Sequence, residues 1–300
     1  MSVHNHNDKA TTAITATTTV GTNDGLLDKP NTKKELFGDK LFGIGSMQGW
    51  RRTAEDFYKY LVPLDHHAFK HWNYFSIFDG HNGIDTAKNA SHLFDKYLLE
   101  CFHHVETKID NHDFERMIKD TLVLLDKNLR KIVHDQSGSV CIATLISSKQ
   151  IFLINLGDSR GIVISKDGHV LAATKDHKPS VLKEQERIRK AGGHITQSPN
   201  DVLRVDDTYA MTRALGDYAI DKHIIAPIPD IIHYPRDSTA AFVILACDGI
   251  WDVMSNEEVA KFVAHQASNT ALDHIVSHLL DHCLQLQSTD NMTAIIIKVD

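Results

Sequence analysis

Several acids in this 300-residue chain stand directly beside apolar runs. The run 74–78 ends on Asp79-Gly80-His81, and the run 242–247 ends on Asp248-Gly249-Ile250-Trp251-Asp252. Asp290-Asn291 precedes the strand-like run 293–299, and Glu55-Asp56 follows Arg51-Arg52. An Asp-Gly pair after a strand is, by itself, only a turn signal. Its recurrence at distant points of the chain changes the reading. Buried carboxylates are costly unless they are paired or hold a cation, and bringing them together around shared cations is the simplest way to tolerate several.

Glu55, Asp56, Asp79, Asp158, Asp248, Asp252 and Asp290 make an all-oxygen donor set. Such a set suits Mg²⁺ or Mn²⁺ over Zn²⁺. Two such ions side by side can activate a bridging water and clamp an in-line displacement at phosphorus. A phosphoryl substrate also needs a positive fork for its free oxygens, and Arg51 stands just ahead of Glu55, with a guanidinium that matches phosphate geometry. The leaving alkoxide needs a proton donor, a role that suits His81. Gly80 lets the backbone come close and offers its carbonyl oxygen. A calcium module of the EF-hand type is excluded, because its D-x-[DN]-x-[DN]-G spacing is absent.

The elements that must position these groups follow from the rest of the chain. Net charge is −7, so there is no basic footprint for nucleic acid. The longest clean apolar run, 240–247, is far short of the roughly 20 residues of a membrane span. Neither a signal-peptide core nor a myristoylation glycine opens the sequence. Cys101, Cys141, Cys247 and Cys283 are widely spaced in apolar settings and read as reduced core residues. The expectation is a monomer of the cytoplasm, with the nucleus as a second location. His66-His67 and His103-His104 lack ligand spacing and read as polar filler.

Residues 1–36, rich in Thr, Asn, Asp and Lys, read as a disordered tail, and 37–300 as one catalytic domain. Ala87, Ala90, Phe94, Leu98 and Cys101 recur at helical spacing, as do Phe114, Ile118, Leu122, Leu125, Leu129 and Ile132. Strands are expected at 140–146 and 150–155, and a hairpin at 161–173 around Lys166-Asp167-Gly168. A charged helix over 180–191 closes at Gly192-Gly193. The stretch 195–221 reads as loop, 256–266 and 270–286 as helices, and 293–299 as the last strand. Short hairpins argue for antiparallel sheets packed face to face, with helix pairs outside: an α+β fold.

With these parts in place the chain resembles the PP2C (PPM) family of metal-dependent Ser/Thr protein phosphatases. Eight motifs carry the likeness, in the family's order, over residues 41–299. They are Gln48-Gly49-Trp50-Arg51 with Glu55-Asp56; Phe78-Asp79-Gly80-His81; Asn155-Leu156-Gly157-Asp158-Ser159-Arg160; Asp176-His177-Lys178-Pro179; Arg187-Ile188 with Ala191-Gly192-Gly193; Thr212-Arg213-Ala214-Leu215-Gly216-Asp217; Ala246-Cys247-Asp248-Gly249-Ile250-Trp251-Asp252; and Asp290-Asn291-Met292-Thr293. The resemblance implies an αββα sandwich that hydrolyses phosphoserine and phosphothreonine in proteins through a metal-bridging water, without a covalent phosphoenzyme. It implies two Mg²⁺ or Mn²⁺ ions held by Asp79, the Gly80 carbonyl, Glu55, Asp248 and Asp290, with Asp56 and Asn291 supporting by hydrogen bonds. Asp158 and Asp252, with Asp248, would match a weaker third site, Arg51 would hold the phosphate, and His81 would be the general acid. Residues 195–209 would be a flap beside the cleft. The alternative is an inactive fold-mate serving as a binding scaffold.

The chain departs from the family pattern at Asn82, where a second glycine is usual, at Val140-Cys141 for Thr-Ala, and at Thr53-Ala54. None of these removes an expected ligand. Outside the acid set, Asp176-His177-Lys178-Pro179 reads as a structural stop before a helix. Arg213 with Asp217 reads as an ion pair or cap, and Trp50 and Trp251 as core.

Overall fold

The computed structural model describes residues 25–103, 111–199 and 201–300. The chain opens with β1 (Leu26–Gly38), β2 (Phe42–Arg51), β3 (Phe57–Leu61) and β4 (Asn73–His81), then two helices, α1 (Asp85–His103) and α2 (Asn111–Leu129). Strands β5 (Gly138–Ile146), β6 (Gln150–Leu156), β7 (Arg160–Ser165) and β8 (Val170–Ala173) lead to α3 (Leu182–Lys190). Next come β9 (Ile195–Gln197), β10 (Leu203–Val205), β11 (Leu215–Gly216), β12 (Asp230–Pro235) and β13 (Ala240–Ala246). Helices α4 (Asp248–Trp251), α5 (Asn256–Gln266) and α6 (Leu272–Gln285) precede the last strand, β14 (Met292–Lys298).

Two six-stranded sheets result. One runs β1-β2-β14-β13-β7-β8; the other runs β12-β6-β5-β4-β3, with β11 added to β5. The pairings within both are antiparallel. The long apolar runs are central strands buried on both faces, and their side chains divide with period two. Val243, Leu245, Ile295 and Ile297 meet Phe75, Ile77, Ile142 and Leu153 between the sheets. Ile244, Ala246 and Ile296 face outward onto Val259, Val263, Ile275 and Leu279 of α5 and α6. Tyr74, Phe78, Phe152 and Ile154 face the other way, onto Phe94, Leu98, Ile118 and Leu122 of α1 and α2. Each fully buried side chain of this size contributes roughly 1.5–3 kcal/mol. The order helices, sheet, sheet, helices is the expected sandwich. α5 starts where its sequence says it should, because Ser255 and Glu258 form a reciprocal capping box.

Some expectations shift. The boundary drawn at residue 36 is too late: residues 26–36 belong to β1, which pairs with β2 from Leu26↔Arg51 to Gly38↔Gly43. Residues 1–24 of the expected tail lie outside the described residues, as does His104. Ile132 falls beyond α2, in a turn, and is exposed. The stretch read as loop, 195–221, holds the β9–β10 hairpin and the two-residue strand β11.

Candidate active site

The acids arrive from several strand ends. β4 finishes at Asp79-Gly80-His81, β13 runs into α4 at Asp248, and Asp290 lies just before β14, which pairs antiparallel with β13. Asp158 sits in the turn between β6 and β7. Asn291 ties the far ends together: its amide donates to the carbonyls of Gln48 and Thr53, and its oxygen accepts from the Glu55 amide. The backbone then closes further, as Gly80 N–H donates to the Glu55 carbonyl at 3.2 Å.

Arg51, Asp79, Gly80, His81, Asp158, Asp248, Asp252 and Asp290 line one cavity of about 460 Å³. Asp201, Val202 and Arg204 of the β9–β10 hairpin, with Thr208 and Tyr209 just after it, also line the cavity, within the stretch where the resemblance implies a flap. A larger cavity, about 960 Å³, opens between the β1–β2 turn and the start of α6. Its charged groups are scattered lysines and acids, and the catalytic-type cluster lies in the smaller one.

Glu55 and Asp56 do not line the cavity. The Glu55 carboxylate accepts from the Thr53 hydroxyl at 2.7 Å and the Gly83 amide at 3.1 Å. Asp56 is buried behind Asp79; one oxygen accepts from the Thr293 hydroxyl at 2.7 Å and the other has no hydrogen-bond partner. Ligand atoms of Asp56, Asp79 and Cys247 lie within 4.8 Å of one another. Cys247 is a neutral core thiol, raised by burial and by the acids around it. It donates to the Asn291 carbonyl and accepts from the Thr293 amide.

Burial, with crowding of like charges behind it, dominates the electrostatics. Burial pushes Asp79 and Asp248 well above the ordinary carboxylate range. Asp248, Asp56 and Asp290 add to the effect on Asp79, and Asp158 and Asp290 to that on Asp248. Asp56 and Asp158 are pushed up to about 6, again chiefly by burial. Asp290 is raised by burial and partly relieved by Arg51, whose Nη2 lies 2.5 Å from its Oδ2. Lys178 opposes the rise at Asp158 and Asp248 and reaches Asp252 at 3.1 Å. A half-buried all-acid donor set, backed by the orphaned oxygen of Asp56, fits hard divalent cations, which would remove the repulsion. Asp79, Asp248 and Asp290, with the Gly80 carbonyl, are the residues that would hold them.

His81 Nε2 lies 3.0 and 2.9 Å from the two oxygens of Asp217, whose side chain is wholly buried. The expected Arg213–Asp217 pair does not form. Arg213 instead binds Glu184 of α3, at 2.5 and 3.1 Å, and Asp230 at 3.0 Å. Asp176 pairs with Arg160 through two bonds, at 2.9 and 2.8 Å. Lys178 thus has a second face beyond the structural one read for its motif, since it is a cation beside the acids. Trp251 is buried and donates to the Ala246 carbonyl, while Trp50 is only half-buried. Asn82 has φ +58, so the glycine-like position tolerates it for a physical reason. Val140 stands against Gly157 and lines the cavity.

Comparison with known proteins identifies the family and the fold. The family model Protein phosphatase 2C matches residues 41–292. Protein phosphatase 1B of Rattus norvegicus is 35% identical, over 91% of this chain and 74% of its own length. The human protein phosphatase 1B is 34% identical over 91% of this chain, which spans 60% of the human protein. Among solved structures, serine-threonine phosphatase 2C from Toxoplasma gondii superposes with a TM-score of 0.74 at 19% identity, a likeness of fold that covers 92% of this chain and 98% of that one. The chain belongs to the protein phosphatase 2C family.

Proposed function

We propose that the chain is a Mg²⁺- or Mn²⁺-dependent protein phosphatase acting on phosphoserine and phosphothreonine. One observation carries the reading: Asp79, Asp248 and Asp290 share a cavity with a guanidinium, Arg51, and an imidazole, His81. Bound divalent cations would supply Lewis-acid activation of water and neutralise phosphoryl charge. The chain's own groups would do the rest. Arg51, half exposed and held at the cavity by Asp290, would fork onto the non-bridging phosphoryl oxygens. His81 would give a proton to the departing seryl or threonyl oxygen. Asp158 and Asp252 would complete a weaker third cation site with Asp248. Arg204 of β10 and Tyr209 just beyond it, both lining the cavity, would meet the peptide around the phosphorylated residue.

The test is phosphate release from a phosphothreonine peptide with added Mn²⁺, with chelator, and with Asp79→Asn. The reading expects turnover that needs the metal and falls by more than about 10²-fold in the variant. Turnover that survives strong chelator, or is unchanged in Asp79→Asn, overturns it. Absence of both turnover and Mn²⁺ binding by calorimetry favours the scaffold alternative.

A further inference from the structure

We propose that Asp217 is a positioning residue for His81: a buried carboxylate that holds Nε2 and so aims Nδ1 at the leaving oxygen of the phosphorylated side chain. The inference rests on the phosphatase reading above and deepens it.

Backbone pairing builds the contact. β5 extends past the end of β6, and the free edge of Gly138 and Ser139 is taken by β11, with Leu215↔Ser139 and Gly216↔Gly138. On its other edge Gly138 pairs with His81. One glycine therefore lies between the histidine strand and the strand that delivers Asp217. A Cβ on Gly138 would sit 2.1 Å from Asp217 Oδ2 and 2.2 Å from His81 Nε2, so the side chains meet in the space its missing methyl leaves. The chain then turns sharply: Gly216 has φ +75 and Asp217 φ +49, and the Asp217 amide donates to the Ser137 carbonyl at 3.0 Å. A non-glycine residue in the left-handed region is uncommon, and such positions cluster where function needs them.

The carboxylate at the end of this turn is fully buried, and the imidazole is partly open to the cavity. Among the described residues no hydrogen bond engages His81 Nδ1, which leaves that nitrogen for the substrate. Hydrolysis forms a P–O bond from water and breaks the P–O bond to the seryl or threonyl oxygen. The electron pair of the breaking bond stays on that oxygen, which takes the proton from Nδ1 of the doubly protonated ring and leaves a neutral imidazole; the proton released by water restores the imidazolium. A carboxylate fixed on the opposite nitrogen keeps hydrogen on Nε2 before and after transfer and sets the ring orientation for this delivery.

The role predicts a dependence on the leaving group. An alkoxide needs the proton, whereas p-nitrophenolate departs without it. In the metal-loaded protein, Asp217→Asn is expected to lower kcat on a phosphothreonine peptide by roughly 10²-fold. KM should stay within about twofold, and p-nitrophenyl phosphate should lose less than about threefold. Asn is nearly isosteric and tolerates a positive φ. Should it nonetheless destabilise the turn, Gly138→Ala perturbs the same contact from the neighbouring strand and must show the same selectivity. In a His81→Ala background, Asp217→Asn should cost the peptide reaction nothing more. Equal loss on both substrates, undiminished peptide turnover, or a further loss in the His81→Ala background overturns the proposal. Wild-type protein that hydrolyses neither substrate overturns the phosphatase reading itself, an outcome distinct from the other three.

Discussion

Arg213→Met is the perturbation whose size the structure specifies best. Arg213 and Glu184 are 6% and 2% exposed and meet through two bonds, at 2.5 and 3.1 Å. Burial by itself raises the Glu184 carboxyl; the hydrogen bond and charge of Arg213, then Arg187, reverse this and hold it at about 2, against an ordinary 4.5. That difference is equivalent to about 3 kcal/mol of stabilisation. Removing the arginine leaves a buried carboxylate whose remaining cation, Arg187, touches it at 3.0 Å. The expected cost is therefore near the lower end for a broken buried pair, about 3 kcal/mol, or a thermal midpoint lowered by about 6 °C. The pH dependence has a definite sign. A carboxyl depressed in the folded state stabilises fully above its unfolded value, here about 4.5, and that contribution drains away as pH falls towards about 2. The gap between wild type and Arg213→Met should thus narrow from about 3 kcal/mol at pH 7.5 to about 2 kcal/mol at pH 3.5. Asp230, held below the ordinary range by His177 and then Arg213, acts in the same direction. Urea titrations followed by circular dichroism at the two pH values measure the gap, and Glu184→Gln in the variant should recover part of it. A gap that widens on acidification, or a variant melting within about 1 °C of wild type, would refute the assigned energetics.

Three further outcomes are expected. Mn²⁺ at about a hundred times its dissociation constant should stabilise the protein by about 2.7 kcal/mol, seen as a raised melting temperature that chelator reverses; Asp248→Asn should abolish most of the rise. Gly43→Ala should cost at least about 2 kcal/mol in thermal melts, because its Cβ would lie 2.3 Å from backbone atoms of both Leu272 and Asp273 and force α6 off β2; an unshifted melt counts against this packing. A chain that starts after Gly38 loses β1 and the 2.6 Å Lys34–Asp281 pair, and should melt well below the full chain by the same measurement.

The parts of this molecule that were legible in sequence are those whose signal is local. Asp79, Asp248 and Asp290 each adjoin a run of seven to nine residues that forms a central strand, so the position of the acid and the reason for its burial are written together. The helix read at 256–266 is α5, which the structure starts at Asn256 behind the Ser255–Glu258 capping box. β1 escaped the reading, because an edge strand buries little: Asp28, Lys29, Lys33 and Lys34 along it give no alternating apolar pattern. Asp217 was misread for a different reason. Its partner depends on a two-residue strand docking on the free end of β5, a pairing with no periodicity to detect. The neighbouring Arg213 looked like the natural counter-ion, yet its charge is claimed by Glu184 and Asp230. Lys178 was hidden in the same way: its motif reads as a structural stop before a helix, and only the tertiary fold aims it at Asp252.

The thirteen-residue β1 closes one border of its sheet, where the border strands β8, β3 and β12 elsewhere are only four to six residues long. A border that long offers a template on which a foreign polypeptide could zip. This one is a poor template. Pro30 contributes no amide hydrogen, the register slips twice between Leu26 and Lys34, and charged side chains crowd the middle. The same features that concealed β1 from a reading of apolar pattern make its outer edge hard to extend with a further strand.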